Sequence, residues 1–396
     1  MARANVRAFV IVVAALFVIA AAVSVTTFAI PPPIAAPTTV APTRAFSARI
    51  MVSLPRSGPR RAQSEGIIDA VRLAVDAVSA HVNAGAVTYF VEVDVRNSAA
   101  AEGDWSAAIE RANAEAAAAD SSVVAYIGPA TLDAARLVAP IAARAGLVVI
   151  APALTHPGLT QRGWDDALYD AVHPGGAKIF VRTIPSDAVA GRAMARWAID
   201  RKLLPSASGA DTWSRAFAQA LAGAPQNATP FVYLGGLAAT DAADRLREIG
   251  ATTPAAQFGA AESILSDAFI ERAGDAASGV VATFAGRPEE QYSGSAAVFL
   301  RSYQNAYVTP PDPYAIFGYD AARLVLDALA RSEQSFTLER TKVREAAFAT
   351  KDLDGALGRW SVDANGDTTY DKEQLYVVRA LPDGKLAWLW NAEISP

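Results

Sequence analysis

From Ser47 onward, short apolar runs alternate with stretches whose apolar residues recur every three or four positions. Residues 48–54 form the first run and predict a strand. Residues 65–80 follow, with Ile67, Ile68, Val71, Ala74, Val75 and Val78 on one stripe, as a helix against a core requires. Residues 87–95 predict a second strand and 105–119 an alanine-rich helix. Residues 123–127 predict a third strand, 132–144 a helix stopped at Gly146, and 147–150 a fourth strand. Strands that alternate with helices imply a parallel sheet flanked by helices on both faces.

The alternation continues, less regularly. Residues 179–183 are extended and 188–200 helical; 231–234 predict a strand ending in Gly235-Gly236, and 241–249 a helix. A strand over 279–284 precedes helices over 296–307, 319–330 and 343–349. The pattern then changes to two strands, 374–381 and 385–390, around Pro382-Asp383-Gly384, a hairpin signal. Leu203-Leu204-Pro205-Ser206 is a poor strand, and the segment 202–231 looks short by one strand–helix unit.

Before this body, Arg3 and Arg7 precede an uncharged run over residues 8–30. A bilayer core takes about 20 apolar residues, whereas the apolar core of a cleaved signal takes roughly 7–15. The run therefore reads as a membrane anchor in preference to a cleaved signal, with the remainder outside the cytoplasm by the positive-inside rule. Pro, Ala and Thr dominate residues 31–46, as in an extended linker.

Composition narrows the chemistry. A chain of 396 residues suits two domains. Its net charge of −5 argues against a nucleic-acid partner. The absence of cysteine excludes disulfides, thiol catalysis and cysteine-bound zinc. His81, His156 and His173 lack metal-ligand spacing. No nucleophile elbow, phosphate-binding Gly-Lys-Ser/Thr loop or HExxH motif is present, so neither an enzyme nor a cofactor is expected. Asp363-Ala364-Asn365-Gly366-Asp367 reads as a tight turn in preference to a calcium loop, because Gln374 stands where the twelfth-position Glu belongs.

Several segments together resemble the type I periplasmic binding proteins, in particular the branched-chain amino-acid (leucine/isoleucine/valine) substrate-binding proteins of ABC transporters. Ser57-Gly58-Pro59 follows the first strand and Ile127-Gly128-Pro129 closes the third. Ala139-Pro140-Ile141-Ala142 leads into Ala145 through Thr155, with Leu159-Thr160 beyond. Phe180 through Asp187 is similar to the family's crossover, and Gly318-Tyr319-Asp320-Ala321 and Leu357-Gly358 are similar to later motifs. The resemblance spans residues 47–370. It implies an α/β fold of two lobes, each a mostly parallel sheet flanked by helices. Lobe I would comprise 47–185 plus 287–355, and a shortened lobe II would comprise 186–286 plus 356–396, with the chain crossing near Pro185, Gly286 and Gly355.

The resemblance also implies a site. Ligands of such sheets bind beyond the strands' carboxyl ends, where Ser57-Gly58, 128–132, 153–155 and Gly235-Gly236 lie. Carried over by position, Thr131, Ala153 and Thr155 would hold the carboxylate and ammonium of an amino acid. Trp213 and Tyr314 would form aromatic walls and Glu262 an ammonium partner. Each residue also has a structural reading: Thr131 as a helix cap, Trp213 and Tyr314 as packing aromatics, Glu262 as a solvated acid. Leu132 stands where the family usually has a small hydroxyl residue, and Gln63 where an aromatic is common. The expected partners are an amino-acid-like small molecule, an ABC permease and, through 8–30, the membrane. A membrane-anchored sensor or interaction module with altered binding is the alternative.

Overall fold

The structure is a computed structural model that describes residues 44–101, 103–206, 211–221, 229–234, 236–332 and 337–396. The anchor and most of the linker expected over 1–46 lie outside the described residues. Among the described residues, no helix is long and apolar enough to cross a membrane.

The chain first builds β1 (Arg44–Leu54), α1 (Arg61–Asp76), β2 (His81–Ala84), β3 (Val87–Asn97) and α2 (Ala107–Ala119). It continues through β4 (Val123–Ile127), α3 (Leu132–Ala145), β5 (Val148–Ala151), α4 (Asp166–Val172) and β6 (Phe180–Arg182). These strands form one sheet in the order β2-β3-β1-β4-β5-β6. All neighbours are parallel except the β2–β3 hairpin at one edge. β4 and β5 are buried at every position, which is why their sequences are continuous apolar runs without alternation.

The second sheet takes up α5 (Asp187–Asp200), β7 (Leu203–Ser206), α6 (Thr212–Ala220) and β8 (Thr229–Tyr233). It adds α7 (Ala239–Thr252), β9 (Gln257–Ala260), α8 (Asp267–Ala273) and β10 (Val281–Phe284). The chain then returns as α9 (Gly294–Ala306), α10 (Ala315–Arg331), α11 (Arg340–Phe348) and a small pair, β11 (Leu353–Gly355) with β12 (Gly358–Trp360). It ends in the hairpin β13 (Glu373–Ala380) and β14 (Leu386–Ile394). The second sheet has the order β14-β13-β10-β9-β8-β7, parallel from β7 to β10 and antiparallel beyond. The fold is thus a two-lobed α/β arrangement, each lobe a mostly parallel sheet with flanking helices.

Apolar packing accounts for this division. α1, α10 and α11 bury one face of the first sheet, through Ile67, Val71, Leu324, Val325 and Val343. α2, α3 and α4 bury the other, through Ala117, Val138 and Leu168. A separate core around Trp213, Phe217, Phe231, Leu246 and Phe269 holds the second sheet. The chain passes between lobes three times: between Arg182 and Asp187, between Phe284 and Gly294, and between Asp367 and Glu373. Such passes permit lobe motion through a few backbone torsions.

Two expectations need correction. The return to the second lobe was placed at residue 356, but Trp360 and Val362 pack in the first core and Asp367 bridges to Arg182. The change of partner comes only at Glu373, because the segment before it is held by Asp320, whose carboxylate accepts from the amides of Ala356 and Leu357 and from Trp360 Nε1. Leu203–Ser206, judged a poor strand, forms the edge strand β7, paired in parallel with β8. Pro205 is tolerated there because an edge strand leaves one side of its backbone unpaired. The missing unit is therefore present, with α6 only 9 residues long. Asp363–Asp367 forms a turn: Asp363 Oδ1 accepts from the amides of Asn365 (2.8 Å) and Asp367 (2.9 Å), with Gly366 at φ 99°.

Candidate functional site

β4, β5 and β6 end side by side, and the segments leaving them converge. After β4 the backbone must pass close to β1: a Cβ at Gly128 would lie 2.5 Å from the Ser53 carbonyl oxygen, and φ is 124°. Only glycine fits there. Thr131 follows as the N-cap of α3, its Oγ1 accepting from the Ala134 amide at 3.1 Å. The capping role is real, yet the hydroxyl keeps its proton for donation.

After β5 the chain turns through Pro152, Ala153, Leu154 and Thr155. The fully buried Arg182 guanidinium fixes this turn by donating to the carbonyls of Leu154 (3.3 Å) and His156 (2.9 Å). Arg182 also holds Thr160 Oγ1 (2.6 Å) and Asp367 Oδ1 (2.6 Å). The Thr155 carbonyl in turn accepts from the Asp187 amide at 2.8 Å, joining the turn to the start of α5. The chain thereby places a cleft-lining turn of the first lobe against the first residue of a second-lobe helix.

One cavity of about 570 Å³ opens at this junction. Thr131, Ala153, Thr155, Glu262 and Tyr314 all line it, so five of the six residues carried over from the resemblance come together. Leu132 and Gln63, the two departures from the family pattern, line it as well. Tyr314 stands at the start of α10 with its ring 5.1 Å from that of Phe284, across the second pass between lobes.

Trp213 is the exception. It is 2% exposed, stacks on Tyr233 at 4.1 Å and donates from Nε1 to Thr283 Oγ1 at 3.0 Å. It is a core residue of the second lobe and not an aromatic wall of the cavity. Its place on α6 explains this: with a helix of 9 residues, Trp213 and Phe217 must supply the apolar face that seals the sheet. Ser57 and Gly58 are also outside the lining: Ser57 Oγ donates to the carbonyls of Ala100 and Gly103. Gly236 does not reach the cavity, and Gly235 lies outside the described residues.

The sequence reading missed Asp187, His156, Arg60 and Arg136 in the lining. Asp187 had a signal, as the last residue of the crossover motif, but nothing marked the others. The cations are already engaged: Arg60 pairs with Asp104, and Arg136 with Asp133 at 3.0 Å and Asp165 at 3.9 Å. His156 Nδ1 accepts from the Gly158 amide at 3.0 Å, and burial lowers its pKa, so the ring is neutral at pH 7. The opposite wall is acidic. Glu262 exposes part of its surface to the cavity, yet the protein packed around it, and then Asp187, push its pKa up to about 7. Glu373, the first residue of β13, is held well above its usual range by burial and then by Glu262 and Asp187. Tyr314 is raised as well, by burial and then by the Glu262 charge. The site thus offers hydroxyls, backbone groups and the paired charges of Arg60, Asp133 and Arg136 on the first lobe, and the carboxylates of Asp187 and Glu262 on the second. Asp187 and Glu262 give it a wall suited to a cation.

The family model described as "Periplasmic binding protein" matches residues 47–385. Solved structures share the fold. A leucine-binding protein from Thermotoga maritima is 20% identical with a TM-score of 0.64, covering 88% of this chain and 99% of its own. A branched-chain amino-acid transporter substrate-binding protein from Streptococcus pneumoniae, in complex with isoleucine, is 17% identical with a TM-score of 0.60, covering 87% and 100%. An ABC-transporter solute-binding protein from Rhodopseudomonas palustris, in complex with 3,4-dihydroxybenzoic acid, is 18% identical with a TM-score of 0.62, covering 88% and 97%. No curated protein sequence matches the chain. With its two lobes, its cleft at the strand ends and a family match over residues 47–385, the chain belongs to the periplasmic binding protein family.

Proposed function

We propose that this protein is an extracytoplasmic solute-binding protein that captures an amino acid or a similar small polar ligand and delivers it to an ABC importer. Residues 8–30 would tether or export it. The single observation that carries this reading is the shared cavity, with Thr131, Ala153 and Thr155 on one side and Glu262 on the other. An amino acid needs donors for its carboxylate and an acceptor for its ammonium, and these residue types supply both. Closure of the lobes would bring the two sets together around the ligand.

Relatives of this fold are seen with isoleucine, leucine, 3,4-dihydroxybenzoic acid and 4-hydroxybenzoate. Charge favours one of these classes here. A benzoate brings only a negative group to a wall that already holds Asp187 and Glu262, whereas an amino acid brings a cation. The amino-acid class is therefore favoured. Leu132 in the lining favours a second reading, a membrane-anchored sensor or interaction module whose pocket has changed its ligand.

Titration calorimetry of the folded protein against a panel of amino acids and hydroxybenzoates tests the proposal. Saturable binding of at least one amino acid at micromolar concentrations is expected. Binding of hydroxybenzoates alone would overturn the amino-acid class, and no binding at all would favour the sensor reading.

A further inference from the structure

Away from the three passes of the chain, a further contact joins the lobes. Trp164 belongs to the first lobe. It directly precedes Asp165, the N-cap of α4, whose carboxylate accepts from the Leu168 amide at 2.8 Å. Leu168 and Val172 then pin α4 in a core of the first lobe. Arg215 belongs to α6 of the second lobe. Trp213 and Phe217, four residues apart, turn one face of that helix into the second core. Arg215 lies midway between them in sequence and so stands on the other face. Its guanidinium carbon lies 4.4 Å from the centroid of the Trp164 ring, and Nη2 donates to the Trp164 carbonyl at 2.7 Å. Both residues are half-buried, and Arg215 has no ion pair among the described residues. A cation over an indole face, with a charge-assisted hydrogen bond to the same residue, gains strength where water is partly excluded.

This contact flanks the cleft on both sides. Asp165, next to Trp164, lies 3.9 Å from Arg136 of the cavity lining. Thr212, three residues before Arg215, donates to Asp187 of the lining at 2.5 Å. Neither Trp164 nor Arg215 lines the cavity itself. We propose that Arg215 is a positioning residue for ligand capture: by clasping Trp164 it holds the two lobes together beside the cleft and slows the release of a bound ligand. The proposal rests on the solute-binding reading above. A ligand leaves when the lobes part, and parting on this side breaks the ring contact and the hydrogen bond together. The clasp therefore acts on the dissociation rate without touching the ligand.

The chain has no cysteine, so spin labels attach only where cysteines are introduced. Ala167→Cys on α4 and Gln219→Cys on α6 place them at exposed positions on the two elements that flank the contact. Pulsed electron paramagnetic resonance on the unliganded full chain reads the distance between the labels. Arg215→Met keeps an apolar stem and removes the guanidinium, and the distance distribution should shift to longer values. In stopped-flow experiments with L-leucine as the probe, release from Arg215→Met should be roughly 10-fold faster, the loss expected for one charge-assisted contact. Thermal melts check that the variant is folded. If it is not, Trp164→Leu tests the clasp from the first lobe with α6 unaltered, and it should lengthen the distance as well. An unchanged distance distribution in the folded variant would overturn the inference and leave the solute-binding reading intact. Unchanged release from a variant whose lobes have parted would overturn the role of Arg215 in ligand release. Failure of L-leucine to bind the unaltered protein would count against the amino-acid reading, and the distances would then decide the clasp alone.

Discussion

Asp367→Ala removes the anionic partner of the buried Arg182. In the native protein Arg182 is 0% exposed, and its Nε and Nη2 donate to Asp367 Oδ1 at 2.9 and 2.6 Å. Asp367 also accepts from Thr160 Oγ1 (2.8 Å) and Gln161 Nε2 (2.6 Å). Removing one partner of such a pair strands the other charge, which costs about 3–5 kcal/mol. Arg182→Met together with Asp367→Ala removes both charges and should recover much of that loss, because the penalty lies in the unpaired guanidinium. Urea unfolding followed by tryptophan fluorescence measures the difference, with Trp360 reporting on the first core. The effect depends on pH with a definite sign. Burial by itself would raise the Asp367 pKa, but Arg182, then Gln161 and Thr160, outweigh it and the pKa is lowered. Its stabilisation is therefore present above the ordinary value of 3.8 and lost as pH falls through the lowered folded value. The gap between the native protein and Asp367→Ala should narrow in that acid range. A single variant within about 1 kcal/mol of the native protein at pH 7, or a double variant less stable than the single one, would refute the reasoning.

Three further outcomes follow from the same geometry. Thr155→Val keeps the side-chain shape and the Thr155 carbonyl bond to Asp187, so melting should hold while affinity for the bound amino acid falls roughly 10- to 150-fold; equal affinity in calorimetry would remove Thr155 from the site. Gly191→Ala would gain up to about 1 kcal/mol in an exposed helix, but here the new Cβ would lie 2.4 Å from the Trp213 carbonyl oxygen and 2.9 Å from Ala216 Cβ. The net effect should be a loss of about 1–3 kcal/mol from overpacking, and a raised melting temperature would contradict it. Glu262 has a folded pKa of about 7 against an ordinary 4.5, so its contribution is fully present below 4.5 and lost as pH rises through 7. Glu262→Gln should therefore gain on the native protein across that window, on the order of 2–3 kcal/mol, and a gap constant with pH in unliganded melts would refute this.

The local pattern of the chain determined most of the elements. β4 was legible at its observed bounds, and α3 began at Leu132 and stopped at Gly146 as expected, because a cap, an apolar stripe and a left-handed glycine are all local signals. The terminal hairpin was legible for the same reason: Pro382-Asp383-Gly384 is a turn that needs no distant partner. The short strands β2, β7 and β9 were not legible. Each has only 4 residues, and its strand character comes from pairing with a neighbour already in the sheet.

The site divides along the same line. Motif order in the sequence was enough to select Thr131, Ala153 and Thr155, since they sit where strands end and their neighbours share a pattern. Trp213 could not be placed by sequence, because an aromatic on a short helix serves equally as a wall or as core, and only the stack on Tyr233 decides. Asp187 and Glu262 lie far apart in the chain, and only the fold brings them to one cavity. Charge interactions depend on distance in space, and a carboxylate's partners, or their absence, are fixed only once the chain has folded.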